Sequence, residues 1–252
     1  MQQKMKAVKN MDKTLRDRII DITMTALFGA LCYIALMLFF IPFANMYIHF
    51  GNLIVVLAAL LIGGWQGGLA GSVGMGLFDL LNGHADSSPK TFILKLLIGL
   101  ATGLTYTFLK RRKKFPSAAL YTAGAVSLLI SAGLLIHMIA EYHGYAGKSA
   151  VLFPIFAAIG VICLIFGSLK NKLSDETASA VVGASVGMLV NIAGETVWRA
   201  VEFFLAGSDF RAAVSGAVLA QGSTLINAGI AVVGGVALFA ALKKPFAKIT
   251  GR

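Results

Sequence analysis

A succession of long apolar runs, broken by short loops, limits what this chain can fold into. The runs cover about Ile22–Phe43, Leu53–Gly83, Phe92–Leu109, Ser117–Ala140, Ser149–Leu169, Thr177–Ala206 and Ala212–Leu242. A helix that crosses a bilayer needs about 20 mostly apolar residues, and most of these runs reach that length. Of the 252 residues, 58% are hydrophobic and 13% charged. That is too little charge to cover a water-facing surface. A soluble globular enzyme and a disordered chain are therefore excluded. The expectation is an all-α polytopic membrane protein. The first run exceeds the ~7–15 residues of a signal-peptide core and no A-x-A site follows it, so it is expected to be retained.

The run Leu53–Gly83 is interrupted by Gly63-Gly64-Trp65-Gln66-Gly67-Gly68. Glycine weakens helix interiors, so two short, closely packed helices joined by a tight turn are expected there. This makes eight helices in all. Lys4, Lys6, Lys9, Lys13, Arg16 and Arg18 precede the first span. Lys110-Arg111-Arg112-Lys113-Lys114, then Lys170 and Lys172, and finally Lys243, Lys244, Lys248 and Arg252 follow later spans. With eight helices all of these fall on one side, and Lys90, Lys148 and Arg211 fall on the other. The positive-inside rule then places both termini in the cytoplasm. The same asymmetry explains the net charge of +11 without any nucleic-acid partner.

Lys95 and Arg199 remain, both inside expected spans. Ionisable groups at such depth cost at least about 2.5–3.5 kcal/mol on insertion scales and usually face a cavity or a partner. Asn191, Glu195, Arg199 and Glu202 share one helix and fall within an arc of about 80°, with Trp198 beside them. At a rise of about 1.5 Å per residue, Glu195 lies roughly 16 Å below the outer helix end and Arg199 roughly 10 Å. By the same count Lys95 lies roughly 8 Å deep, Asp79 roughly 6 Å and Gln221 roughly 13 Å. The set shares the outer half of the bilayer, which points to a polar pocket open to the outside. Two alternatives stay open. One is an internal ion pair, Glu195 with Arg199 at i,i+4, that only fixes helix packing. The other is a proton relay, which would more naturally extend across the whole membrane.

Small residues make a second pattern. Ala26 and Ala30 form an AxxxA, and Gly64/Gly68, Gly67/Gly71, Gly99/Gly103 and Gly183/Gly187 form GxxxG pairs. Such spacing lets helix backbones approach closely. His49, His84, His137 and His143 show no metal-binding spacing, and Cys32 and Cys163 form neither a CxxC nor a disulfide framework. There is no P-loop, GxSxG or HExxH, so no metal, catalytic residue or cofactor is expected in this chain.

Tyr47 to Gly103 carries a specific combination of features. His49-Phe50-Gly51-Asn52 closes an outer loop, and a Gly-rich helix pair follows. Then come Phe78-Asp79-Leu80-Leu81-Asn82-Gly83, Pro89-x-Thr91-Phe92 and Lys95. With Thr25-Ala26-Leu27-Phe28-Gly29-Ala30-Leu31, this resembles the substrate-binding S component of energy-coupling factor (ECF) transporters, in the branch with riboflavin-, hydroxymethylpyrimidine- and pyridoxine-type members. Residues 178–244 resemble the last two helices of that family more weakly. Two departures stand out. Pro116–Leu169 adds two helices to a six-helix core, and Ala220–Asn227 stands where many relatives carry Pro-x-Asn.

The resemblance implies a basic cytoplasmic segment over 1–21 and four core helices over 22–114. It further implies an inserted hairpin over 115–172, two core helices over 173–244 and a cytoplasmic tail over 245–252. It implies a subunit of the bacterial cytoplasmic membrane that captures a vitamin-sized molecule from outside. A scaffold subunit touching Ala26 and Ala30, and two ATPase subunits that consume the ATP, would be its partners. Tyr47, His49, Asn52 and Asn227 would join Asp79, Lys95, Asn191, Glu195, Trp198, Arg199, Glu202 and Gln221 as the substrate site. Lys95/Arg199 and Glu195/Glu202 would meet opposite charges on the substrate. Two other classes compete: a standalone secondary transporter or channel, and an intramembrane enzyme using Glu195, Glu202, His84 or Asp79. The first lacks a visible inverted repeat, the second a nucleophile–base pair.

Overall fold

In a computed structural model the backbone is described for residues 2–39, 41–43, 46–111 and 174–251, with scattered residues between 121 and 168. The inserted hairpin expected over 115–172 lies largely outside the described residues. Seven helices and one β-hairpin make up the continuous segments. They are α1 (Gln2–Leu38), β1 (Ile41–Phe43), β2 (Met46–Ile48), α2 (Gly51–Leu61), α3 (Gly64–Leu81), α4 (Ser88–Lys110), α5 (Asp175–Leu205), α6 (Phe210–Leu219) and α7 (Gly222–Thr250). Four of them are long and apolar enough to cross a membrane: Thr14–Leu38 within α1, and α4, α5 and α7. The chain is an all-α, multi-pass membrane protein.

α2 forms the centre. Val55, Val56 and Ala58 have no exposed surface, and α1, α3, α4 and α7 all pack against this helix. The break expected between α2 and α3 occurs, but only Gly63 makes it, with a φ of +107° that disfavours other residues. The remaining glycines of the cluster continue as the first turns of α3. Their purpose is contact. A Cβ on Gly67 would overlap the Ala59 backbone, one on Gly99 would overlap Gly68, and one on Gly103 would overlap Gly64. The expected GxxxG pairs thus bring α3 onto α2 and α4 at backbone distance. Two hydroxyls fasten the same seam. Ser72 Oγ donates to the Phe92 carbonyl at 2.7 Å, and Ser88 Oγ to the Gly76 carbonyl at 2.9 Å.

Three boundaries differ from the sequence reading. The first helix starts at Gln2 and ends at Leu38, so the residues ahead of the expected span continue the same helix. The expected first span ends early: Phe39 lies past the helix, and Ile41–Phe43 pairs antiparallel with Met46–Ile48. The expected last helix is two. α6 (Phe210–Leu219) is capped at its start by Asp209, whose carboxylate accepts from the Arg211 and Ala212 N–H groups. α7 restarts at Gly222 and runs through Pro245 to Thr250.

The two ends of the bundle are distinct. Arg16 lies beside Gly251, and Glu176 binds both Lys110 and Lys243. Arg16 of α1 and the end of α7 therefore share one face with the α4–α5 junction. The β-hairpin lies at the opposite end, where α7 and β2 meet.

Candidate functional site

A cavity of about 510 Å³ opens at the β-hairpin end. Its first wall comes from the hairpin and α2–α4. Tyr47 leaves β2 with its ring 5.8 Å from that of His84. His49 follows it. Burial, with the positive charge of Lys95 behind it, pushes the His49 imidazole down to about 3. Its Nδ1 accepts the Gly51 N–H at 3.2 Å, which requires that nitrogen to be unprotonated. Asn52 is 2% exposed, and its Oδ1 accepts no hydrogen bond among the described residues. Asp79, near the end of α3, accepts from the Thr91 hydroxyl. Lys95, 4% exposed, reaches across from α4 and donates to Asn191 Oδ1 at 3.3 Å.

The second wall comes from α5 and α7. Asn191, Glu195, Arg199 and Glu202 all line the cavity, as the shared helix face requires. Glu195 is 8% exposed. Among the described residues its ion-pair partner is Lys90, whose Nζ lies 3.2 Å from Oε2, rather than Arg199 one turn along. The local pair considered from sequence is thus replaced by one that ties α4 to α5. Asn227 closes the rim from α7. Its Oδ1 accepts the His49 N–H at 3.0 Å, and its Nδ2 donates to the Tyr47 carbonyl at 2.9 Å. One amide side chain thereby fixes the outer hairpin to the bundle.

Two expected site residues lie off the cavity. Trp198 flanks the stripe and donates from Nε1 to Glu202 Oε1 at 2.6 Å without lining the space. Gln221 caps the break between α6 and α7. Its Nε2 donates to the Ala217 carbonyl at 3.1 Å, which holds it against α6. The sequence does not single out Lys90, because the apolar run starts only at Phe92 and leaves position 90 in the outer loop. Pro89 was the available signal: it favours the first turn of a helix, and α4 does start at Ser88. Phe203 and Thr224 also line the cavity. Each lies on a helix face already marked by a polar residue three or four positions away.

A second depression, about 790 Å³, runs along the outer surface between α1 and α3. Ala26, Gly29 and Ala30 form one side of it, and Leu69, Ala70 and Val73 the other. Its walls are apolar. Gly74 sits so close to the Gly29 carbonyl that a Cβ there would clash.

The model of the family described as ECF-type riboflavin transporter, S component, matches residues 16–159. The chain belongs to this family. The match takes in α1 to α4 and with them the first wall of the cavity, including Asn52, Asp79 and Lys95. The candidate residues on α5 and α7 lie beyond it. Comparison with curated proteins and with solved structures gives no match. Family membership supports a membrane-embedded, substrate-binding subunit of an ECF transporter and a transport role rather than an enzymatic one. Among the described residues no cluster of His, Cys, Asp and Glu is arranged to hold a metal.

Proposed function

We propose that this chain is the subunit of an ECF-type ABC importer that captures a vitamin-sized or vitamin-precursor-sized molecule from outside the cell. The observation that carries the reading is the polar cavity at one end of the bundle. A volume of about 510 Å³ suits a small metabolite, since ligand pockets span roughly 300–1,000 Å³. The positive-inside rule turns the cavity outward and puts both termini in the cytoplasm of a bacterial cell. The cavity lining supplies donors and acceptors that fix a ligand's orientation. Arg199 and Glu202 stand nearest the mouth, with Glu195, Asn191 and Lys95 deeper.

Import needs energy, and this chain has no nucleotide-binding motif. The energy is supplied by two ATPase subunits acting through a scaffold transmembrane subunit. The apolar depression around Ala26 and Ala30 fits that scaffold. Its small residues admit a helix at close range, where packing rather than hydrophobic transfer drives association in lipid.

Co-expression with the scaffold and ATPase subunits tests the reading. The wild-type chain is expected to co-purify with them in mild detergent. Ala26→Leu with Ala30→Leu is expected to abolish co-purification while leaving the isolated chain folded. Uptake into vesicles by the chain alone, without ATPase subunits, would instead identify a secondary transporter.

A further inference from the structure

The charges in the cavity are unevenly satisfied, and that imbalance carries information about the ligand. Three of the carboxylates on its walls have protein donors. Glu195 takes Lys90 at 3.2 Å, Asp79 takes the Thr91 hydroxyl and Glu202 takes the Trp198 indole. Asp86 lies at the exposed rim. Lys95 is different. It is 4% exposed, and among the described residues no carboxylate lies within 4.0 Å of its Nζ. Its hydrogen bond goes to a neutral amide, Asn191, at 3.3 Å. Glu195 and Asp79 act on it only from beyond 4.0 Å. An ammonium group removed from water without a direct counter-charge is costly, and Nζ has three protons to place. In the same cavity, Asn52 Oδ1 is an acceptor without a donor among the described residues.

Resting on the transport reading above, the structure assigns to the substrate a negatively charged group, carboxylate or phosphate, seated against Lys95 in the depth of the cavity. A neighbouring N–H or O–H of the same molecule donates to Asn52 Oδ1. The zwitterion expected from the sequence narrows to an anion, because Glu195, the other deeply buried charge of the cavity, already has Lys90 as its counter-ion. A neutral ring system of the same size would leave the buried Lys95 ammonium with only the neutral Asn191 amide among the described residues.

Matched pairs of probes test this by thermal shift and titration calorimetry on the full chain in detergent. Suitable pairs are nicotinate and nicotinamide, pantothenate and panthenol, orotate and uracil, and flavin mononucleotide and riboflavin. Three pairs read carboxylate and the last reads phosphate. The expected result is binding of the charged member of a pair and none of its neutral partner. Lys95→Met should then lose about 100-fold or more in affinity, and Asn52→Leu about 10-fold. Both variants should keep the wild-type elution volume.

A neutral member that binds as well as its acid overturns the inference, as does an acid that binds Lys95→Met undiminished. Either result leaves the transport reading standing. If none of the probes binds, the molecule released by methanol from chain purified out of rich medium decides. An anion supports the inference and a neutral compound overturns it. A chain that carries nothing and binds no probe overturns both the inference and the transport reading.

Discussion

The two ends of the bundle use similar side chains for opposite purposes. At the end away from the cavity, one carboxylate gathers three helices. Glu176 Oε1 accepts from Lys110 at 2.8 Å and from Tyr106 at 3.0 Å, and Oε2 accepts from Lys243 at 2.7 Å. Glu176 opens α5, where a negative charge also suits the helix dipole, and Lys110 closes α4, where a positive one does. Lys110 and Lys243 further lie over the rings of Tyr106 and Phe239. Both carboxylate oxygens are engaged. At the cavity end Lys95 and Asn52 are more deeply buried than Glu176, yet less fully paired. Deep burial with incomplete pairing is hard to justify as packing alone and reads as preparation for a ligand. Complete pairing at a partly exposed position reads as a clasp.

Substitutions can break or sharpen this contrast. The largest effect is expected where both ends depend on one frame. Gly99→Leu drives a side chain into the Gly68 backbone. Overpacking costs typically about 1–3 kcal/mol and more where backbone must move. Size-exclusion chromatography should show loss of the monodisperse chain, and ligand binding should vanish with it. Arg199→Ala should come next, with affinity falling by roughly 10- to 100-fold while elution and helicity by circular dichroism stay wild-type. Unchanged affinity would remove Arg199 from the site.

Glu176→Gln should do the reverse. Its pairs are partly open to solvent, which screens them, so a loss of about 1 kcal/mol is expected, or about 2–4 °C in melting temperature for a chain of this size. Affinity should not change. Asn227→Ala removes both bonds that hold the outer hairpin, and a faster ligand off-rate, by roughly 3- to 10-fold, should be seen with little change in melting temperature. The smallest effect is expected from Lys90→Ala. It frees Glu195 beside Lys95, and a modest drop in affinity for an anionic ligand should follow as that carboxylate becomes a competitor.

Much of this arrangement is legible in the sequence, and the physical reason is depth. Charges inside an apolar run are so unfavourable that Lys95, Glu195 and Arg199 announce an interior polar face, and a period of 3.6 residues gathers Asn191 and Glu202 with them. The GxxxG pairs likewise foretell the tight α3–α4 seam. Features that depend on where a helix stops are less legible. Ile41–Phe43 continues the apolar character of α1, so composition does not mark the turn into β1. Gly222 is the local sign of the break that takes Gln221 out of the cavity, but glycine is so common in these helices that it does not stand out. Lys90 reaches Glu195 only because α4 begins at Ser88, and a loop reading of that position hides the pair.

The central claim is that the cavity between the two walls is a ligand site rather than a set of packing charges. Native mass spectrometry of the chain, purified gently from cells grown in rich medium, tests it most directly. The account predicts one small molecule bound per chain, lost in Lys95→Met while Glu176→Gln retains it. A bare wild-type chain, or an adduct that survives in Lys95→Met, would contradict it.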